Sequence, residues 1–251
     1  MNKNLIKLIR SLLVCLFFII FGLGALVIRY FVFPVQNIFI KSTDFNKLKY
    51  SETLQKSWYF MILLLKISKI IKINADVEKL KNIKNKIIVS THPSFLDIVI
   101  LISIIPHSTC FVAQKLTKNP FFRGIVKLLF IPEGQNSEKW TADACEILDN
   151  EMNIIIFPMG GRHKQNETPK IRRGASLLAL KSKKNIIALK IDSNSDFLRS
   201  HKPFYEAGSE PTVYDISYVS EINVEEFIKK YPDEVTFKTE LTKEIGRKIY
   251  S

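Results

Sequence analysis

Three cysteines in 251 residues, at positions 15, 110 and 145, are too few and too widely spaced for a disulfide framework, and their odd number leaves one unpaired in any case. The four histidines, His92, His107, His163 and His201, are scattered, with no cluster at ligand spacing, so the sequence predicts no metal site. No Gly-x-x-x-x-Gly-Lys-Ser/Thr loop is present, which excludes a nucleotide P-loop, and the lack of a Gly-x-Ser-x-Gly elbow counts against a serine hydrolase. Acids are scarce: 24 against 37 basic residues leave a formal charge of +13, so the partner surface is expected to be negative. Nucleic acid and anionic lipid both meet that condition.

The N-terminus separates them. Ser11 to Ile28 runs 18 residues without a charge, between Lys3, Lys7 and Arg10 on one side and Arg29 on the other. A helix over that run is roughly 27 Å long, just short of a hydrocarbon core of about 30 Å. It exceeds a signal-peptide apolar region, and the bulky Arg29-Tyr30-Phe31-Val32-Phe33 that follows offers no small-residue cleavage site, so the segment is expected to be retained. Gly22 and Gly24 permit a bend into one leaflet, and basic residues on both flanks give no orientation, so the expectation is a one-leaflet anchor with the rest of the chain cytoplasmic. Lipid is thus the favoured partner over nucleic acid, for which no aromatic-basic motif is found.

Residues 36–52 read as a polar connection. Thr53 to Ile73 combines Trp58, Tyr59 and Phe60 with Lys66, Lys69 and Lys72, which suits a helix in the membrane interface; a core helix with snorkelling lysines is the alternative. The expected division is 1–73 for the anchor and interfacial helices and 74–251 for the main domain. Beyond residue 84, β-branched runs at 86–91, 108–114, 128–132, 153–158, 185–191 and 212–219 alternate with helical patterns at 94–105, 117–127, 138–150, 172–183 and 234–250. That alternation predicts an α/β fold, a mixed sheet flanked by helices with an N-terminal membrane-embedded helical segment.

His92-Pro93-Ser94-Phe95-Leu96-Asp97 lies at the first strand-to-helix junction of this pattern. A histidine in the loop and an aspartate in the first helical turn can bond each other, giving a neutral imidazole oriented to take a proton from a substrate hydroxyl. Ser94-x-x-Asp97 also fits a reciprocal helix cap, so spacing alone leaves both readings open. A second constellation follows the strand ending at Phe157-Pro158: Met159-Gly160-Gly161-Arg162-His163-Lys164, with Arg172-Arg173-Gly174 at the start of the next helix. Glycine amides, an arginine fork and a helix N-terminus within 15 residues favour an anion such as phosphate.

His-x4-Asp, the later Phe-Pro-x-Gly-x-Arg and the apolar N-terminus, in this order, resemble the glycerolipid acyltransferases, in particular the bacterial 1-acylglycerol-3-phosphate acyltransferase type. The resemblance runs from about residue 53 to residue 220 and includes Asn119-Pro120-Phe121-Phe122-Arg123-Gly124. It implies an acyltransferase domain that moves a fatty acyl group from acyl-CoA or acyl-ACP to a hydroxyl of a lysophospholipid-like acceptor, with no bound cofactor, on the cytoplasmic face of the inner (cell) membrane. His92 would be the general base and Asp97 its orienting partner. Met159, Gly160, Gly161, Arg162, Arg173 and Lys115 would bind substrate. The family pattern departs here in three places: Thr91 stands for the usual Asn, Met159 and Gly161 replace the Glu and Thr of the third box, and Ala113 occupies an expected lysine position with Lys115 nearby. Loss of the glutamate motivates two alternatives, an unusual acceptor or a lipid-binding relative with weakened chemistry.

Overall fold

Seven strands emerge from the β-branched runs. The computed structural model describes residues 3–39, 43–133, 137–160, 170–199 and 203–250, which include β1 (Ile71–Ala75), β2 (Ile87–Ser90), β3 (Ser108–Val112), β4 (Ile131–Pro132), β5 (Asn153–Ile156), β6 (Ile186–Ser193) and β7 (Thr212–Ile222). They form one sheet in the order β1-β7-β6-β2-β5-β3-β4. All neighbours pair in parallel except β6 and β7, which are antiparallel with an irregularity at Ala188/Leu189. Ile87 and Val89 of β2 face one apolar layer and Ile88 the other; β5 repeats this with Ile154 and Ile156 against Ile155. A strand covered on both faces is apolar at every position, which is why these runs carry no polar alternation.

Helices supply the covers. On one face lie α1 (Lys3–Val27), α3 (Thr43–Ile67), α4 (Val77–Lys81) and α5 (Leu96–Ile104); on the other lie α7 (Ser137–Asp149), α8 (Gly174–Ser182), α9 (Val224–Lys230) and α10 (Glu234–Tyr250). The short helices α2 (Phe33–Phe39) and α6 (Arg123–Leu129) close a third apolar cluster against α1 and α3. This is the expected α/β architecture, a mixed sheet between helical layers.

The N-terminal helix runs further than the uncharged segment predicts. α1 continues through a π-helical turn, Ile28–Val32, into α2, giving 37 helical residues from Lys3 to Phe39 with a mean hydropathy of 2.9 over their most apolar stretch. The wide turn falls just before Pro34, which has no N–H to donate to the preceding turn; Phe33 N–H reaches back to Ile28 O instead. By length and composition this helix is long and apolar enough to cross a membrane, yet Val14, Phe17, Phe21 and Ala25 form a buried stripe on the domain. Arg10 fixes its start by donating to the carbonyls of Lys69, Ile70 and Glu210 at 2.7, 3.2 and 2.9 Å.

Several expected boundaries shift. The 53–73 segment is not a single helix: α3 ends at Ile67, Lys69 turns with φ of 55°, and Ile70 N–H bonds Leu65 O, a left-handed helix stop made without glycine. The chain then enters β1, which pairs with β7 from Ile71↔Thr212 to Ala75↔Ile216. The expected boundary at residue 73 therefore falls inside a strand of the main sheet, and the anchor helices share its core. α3 also buries Tyr50, Leu54, Met61, Ile62 and Leu65, so it is a core helix first, with Tyr59, Phe60, Leu63 and Ile67 among its exposed residues. Of the expected strand at 128–132, Leu128 and Leu129 are the end of α6 and Ile131–Pro132 form β4; α6 begins late, after a turn in which Asn119 Oδ1 accepts the Phe121 and Phe122 amides.

Candidate active site

Three parallel strands end beside one another, and each passes directly into a segment that the sequence singles out. β2 leads to His92, β3 to the 3-10 turn Gln114–Lys118 containing Lys115, and β5 to Phe157-Pro158-Met159-Gly160. A crevice beyond the carboxyl ends of parallel strands is where open α/β sheets bind ligands, because helix N-termini and loop amides converge there.

The local fold of the first segment explains the dyad. Thr91, nearly inaccessible, bonds β6 twice, donating to Ile191 O at 2.8 Å and accepting from Ile191 N at 2.7 Å, so the strand end is pinned before the chain turns. Ser94 Oγ accepts the Leu96 amide at 3.2 Å and shares a 2.8 Å hydrogen bond with the hydroxyl of Tyr214 on β7. Asp97 Oδ2 accepts the Ser94 amide at 2.7 Å and bonds His92 Nδ1 at 2.9 Å. Half of the capping box and the bond to His92 thus coexist on one carboxylate oxygen, so the cap and the histidine pairing are not exclusive.

With Nδ1 donating to Asp97, the hydrogen-bond network assigns His92 the tautomer whose Nε2 carries a lone pair. The ring stacks on Phe157 with centroids 4.0 Å apart and planes at 14°, and its side chain is 15% exposed, open enough to meet a substrate. Asp97 is completely buried, and Oδ1 has no hydrogen-bond partner among the described residues. Burial raises its pKa; the His92 hydrogen bond and charge, the Ser94 amide and the more distant Arg199 oppose that rise. Burial and the Asp97 charge push the Tyr214 hydroxyl up as well, so it remains a neutral partner of Ser94.

Met159 does not face the crevice. Its side chain, 8% exposed, packs in the opposite apolar layer that includes Ile156, Ala175 and Phe237, because an unbranched apolar residue at that point of the turn gains more by burial than by exposure. At this position the side chain contributes packing. Gly160 has φ of +76°, and a Cβ there would collide with the Arg172 guanidinium, which lies across its backbone. Arg172 N–H in turn bonds Pro158 O at 2.8 Å, so both sides of the 158–172 excursion are tied together. Arg173 is exposed at the N-cap of α8, and Lys115 is exposed in its turn. Gly161, Arg162 and His163 lie outside the described residues, as does His201. Among the described residues, no group of three His, Cys, Asp or Glu side chains gathers as a metal site.

An apolar cavity of about 110 Å³ starts at Phe95, three residues from His92, and runs between α1, α3, α6 and β3. Gly24, Trp58, Val99, Cys110 and Phe130 are among its walls. Burial pushes the Cys110 thiol pKa far up, which keeps it an inert wall element. Sequence reading missed Phe157, Tyr214 and Arg199 as members of the site's surroundings, since each is brought to His92 or Asp97 by a distant strand or loop. Arg172 carried a signal, standing beside Arg173, but its contact with Gly160 depends on the turn.

Residues 72–192, just under half of the chain, match the family model described as Acyltransferase. A human protein, 1-acyl-sn-glycerol-3-phosphate acyltransferase beta, is 27% identical over 53% of this chain and 51% of its own, so the chain spans about half the length of that curated relative. The crystal structure of the 1-acyl-sn-glycerophosphate (LPA) acyltransferase PlsC from Thermotoga maritima superposes with a TM-score of 0.68 at 17% identity, covering 96% of this chain and 95% of the other, and shows the same fold.

Proposed function

We propose, from the acyltransferase-family domain at residues 72–192 as premise, that this protein transfers a fatty acyl group from a thioester to the free hydroxyl of a 1-acylglycerol 3-phosphate. The observation that carries the reading is the His92–Asp97 pair at 2.9 Å, with Nε2 turned from the carboxylate and the ring held by Phe157. His92 Nε2 takes the proton of the acceptor hydroxyl as its oxygen attacks the thioester carbonyl. The tetrahedral intermediate then collapses, the C–S bond breaks, and the proton held by His92 passes to the leaving thiolate. Asp97 fixes the ring and stabilises the imidazolium between these steps. Acyl-CoA and acyl-ACP both supply the required thioester.

The acceptor phosphate would lie among Lys115, Gly160, Gly161, Arg162 and Arg173, where exposed cations and backbone amides favour an anion. The acyl chain would enter the cavity beginning at Phe95. A retained, partly exposed apolar helix supports a membrane location, on the cytoplasmic face of the cell membrane. Because α1 is packed lengthwise from Arg10 to Ile28, it is read as embedded in one leaflet together with the exposed edge of α3.

The test is turnover of purified protein in lipid nanodiscs with acyl-CoA or acyl-ACP and a panel of lysolipids. Diacylglycerol phosphate is the expected product, and His92→Ala is expected to lose at least about 10²-fold in kcat while keeping its melting temperature. Near-normal turnover by His92→Ala refutes the base assignment, and stoichiometric lysolipid binding with no acylated product refutes the activity.

A further inference from the structure

Asp97 presents an electrostatic problem that the dyad does not solve alone. Its carboxylate has no exposed atom, and both of its hydrogen bonds, from the Ser94 amide and the His92 ring, fall on Oδ2. An ionised carboxylate is retained in such a place only when a positive charge lies nearby. Among the described residues, the groups that bear on its charge are His92 from its own segment, the Tyr214 hydroxyl from β7, which bonds Ser94 Oγ, and Arg199 from the loop after β6, whose neighbour Leu198 accepts the Phe95 amide. Of these, Arg199 is the permanent cation.

Arg199 is also placed for the task. It is 4% exposed, an unusual state for a guanidinium, with Nε donating to Ser195 O at 3.2 Å and lying 3.1 Å from Asp196 Oδ1. Asp196 itself is about half exposed, so solvent screens much of its charge. The same loop grips the dyad segment mechanically. Leu198 adopts φ of 58°, a left-handed conformation rare for leucine, and its carbonyl accepts the Phe95 amide at 3.2 Å, between His92 and Asp97 in the chain. The loop that carries the buried Arg199 is thus bonded to the segment that carries the dyad.

We infer that Arg199 is a positioning residue of the reaction: its buried guanidinium is the counter-charge that keeps Asp97 ionised, and the 194–199 loop that bears it holds the His92–Asp97 segment in register. The inference rests on the acyl-transfer reading above. It gives the post-β6 loop a role in setting the pH range of the enzyme.

The decisive measurement is the pH dependence of kcat/KM in nanodiscs for wild type, Arg199→Gln, Arg199→Lys and Asp196→Asn. Removing the cation makes the dyad hold a proton more tightly, so the acid limb in Arg199→Gln should move up by about one pH unit, a tenfold loss on the acid side that recovers in alkali. Arg199→Lys should restore the limb, and Asp196→Asn, which removes a neutralising charge from a half-exposed position, should move it down. A residue that serves packing alone would scale the profile without moving it. An unmoved limb in Arg199→Gln, or failure of lysine to restore it, overturns the inference. If Arg199→Gln does not fold, an unmoved limb in Asp196→Asn overturns it equally. Ring 15N titration of His92 without substrate reads the same shifts independently of turnover. A wild type that acylates nothing but shows them refutes the acyl-transfer reading and leaves the counter-charge standing.

Discussion

A fully buried carboxylate costs the fold free energy, and Asp97 bears that cost beside the His92 ring it bonds. Burial lifts its pKa above the unfolded carboxylate value near 3.9, so the folded state binds this proton more tightly than the unfolded one. The sign follows from linkage: the contribution of Asp97 to stability is most favourable below the unfolded pKa and declines as pH rises from there through the folded value. Asp97→Asn is therefore expected to be at least as thermostable as wild type at pH 7 in thermal scans, while kcat falls by about 10²-fold or more through loss of ring orientation. A clear drop in melting temperature would show that Asp97 is instead a net stabiliser. His92 and Asp97 were legible as residues because their pairing is local, five positions apart across one turn. The Phe157 box was legible but its stacking on His92 was not, and Tyr214 and Arg199 carried no mark in their own neighbourhoods, since each comes from a different strand or loop.

At the scale of elements, Asn153 is the joint on which the central sheet turns. Its Oδ1 accepts the Lys86 amide at 3.0 Å, and its Nδ2 donates to Ile83 O at 3.0 Å and Pro106 O at 2.9 Å, joining the starts of β2, β3 and β5. Asn153→Ala leaves three part-buried backbone groups unsatisfied, so a loss of about 3 kcal/mol in chemical unfolding is expected. Strands with continuous apolar runs were readable from composition, and β2, β5 and β6 lie close to where the runs place them. β1 was hidden because its helix stop is Lys69 rather than glycine, and because Ile71, Ile73 and Ala75 continue the apolar content of α3 with a change only in period. Met159 fails for a related reason: its place in a box motif implied contact with substrate, whereas the turn geometry carries it to the other side of the sheet.

For the whole molecule, the apolar cavity and the N-terminal helix meet at Gly24. A Cβ there finds nothing within 4 Å, and the residue lines the cavity, so a larger side chain would grow into that space without displacing a neighbour. Gly24→Phe is expected to keep the fold and to shorten the preferred acyl chain. Each methylene denied burial costs about 0.8 kcal/mol, so excluding two lowers kcat/KM for long-chain donors roughly tenfold relative to short ones. Competition assays with mixed-length thioesters check this, and an unchanged ratio would place the acyl chain elsewhere. The one-leaflet reading predicts that cysteines introduced at Lys3 and Tyr250, in a background lacking Cys15, Cys110 and Cys145, are labelled from the same side of sealed vesicles. Opposite labelling would make Lys3–Phe39 a span.

The sequence by itself determined what depends on neighbours along the chain: the α/β alternation, the apolar N-terminal segment, and a histidine and aspartate whose spacing across a strand-to-helix junction allows only a short list of geometries. Tertiary structure alone decided that the N-terminal helices share the core of the sheet, because β1 finds its partner about 140 positions later in β7. It also decided which side of the sheet Met159 occupies, and that the loop bearing the buried Arg199 bonds the chain between His92 and Asp97. Those outcomes are set by pairing and burial between segments far apart in the chain, and local periodicity carries no information about which distant surface will cover a given residue.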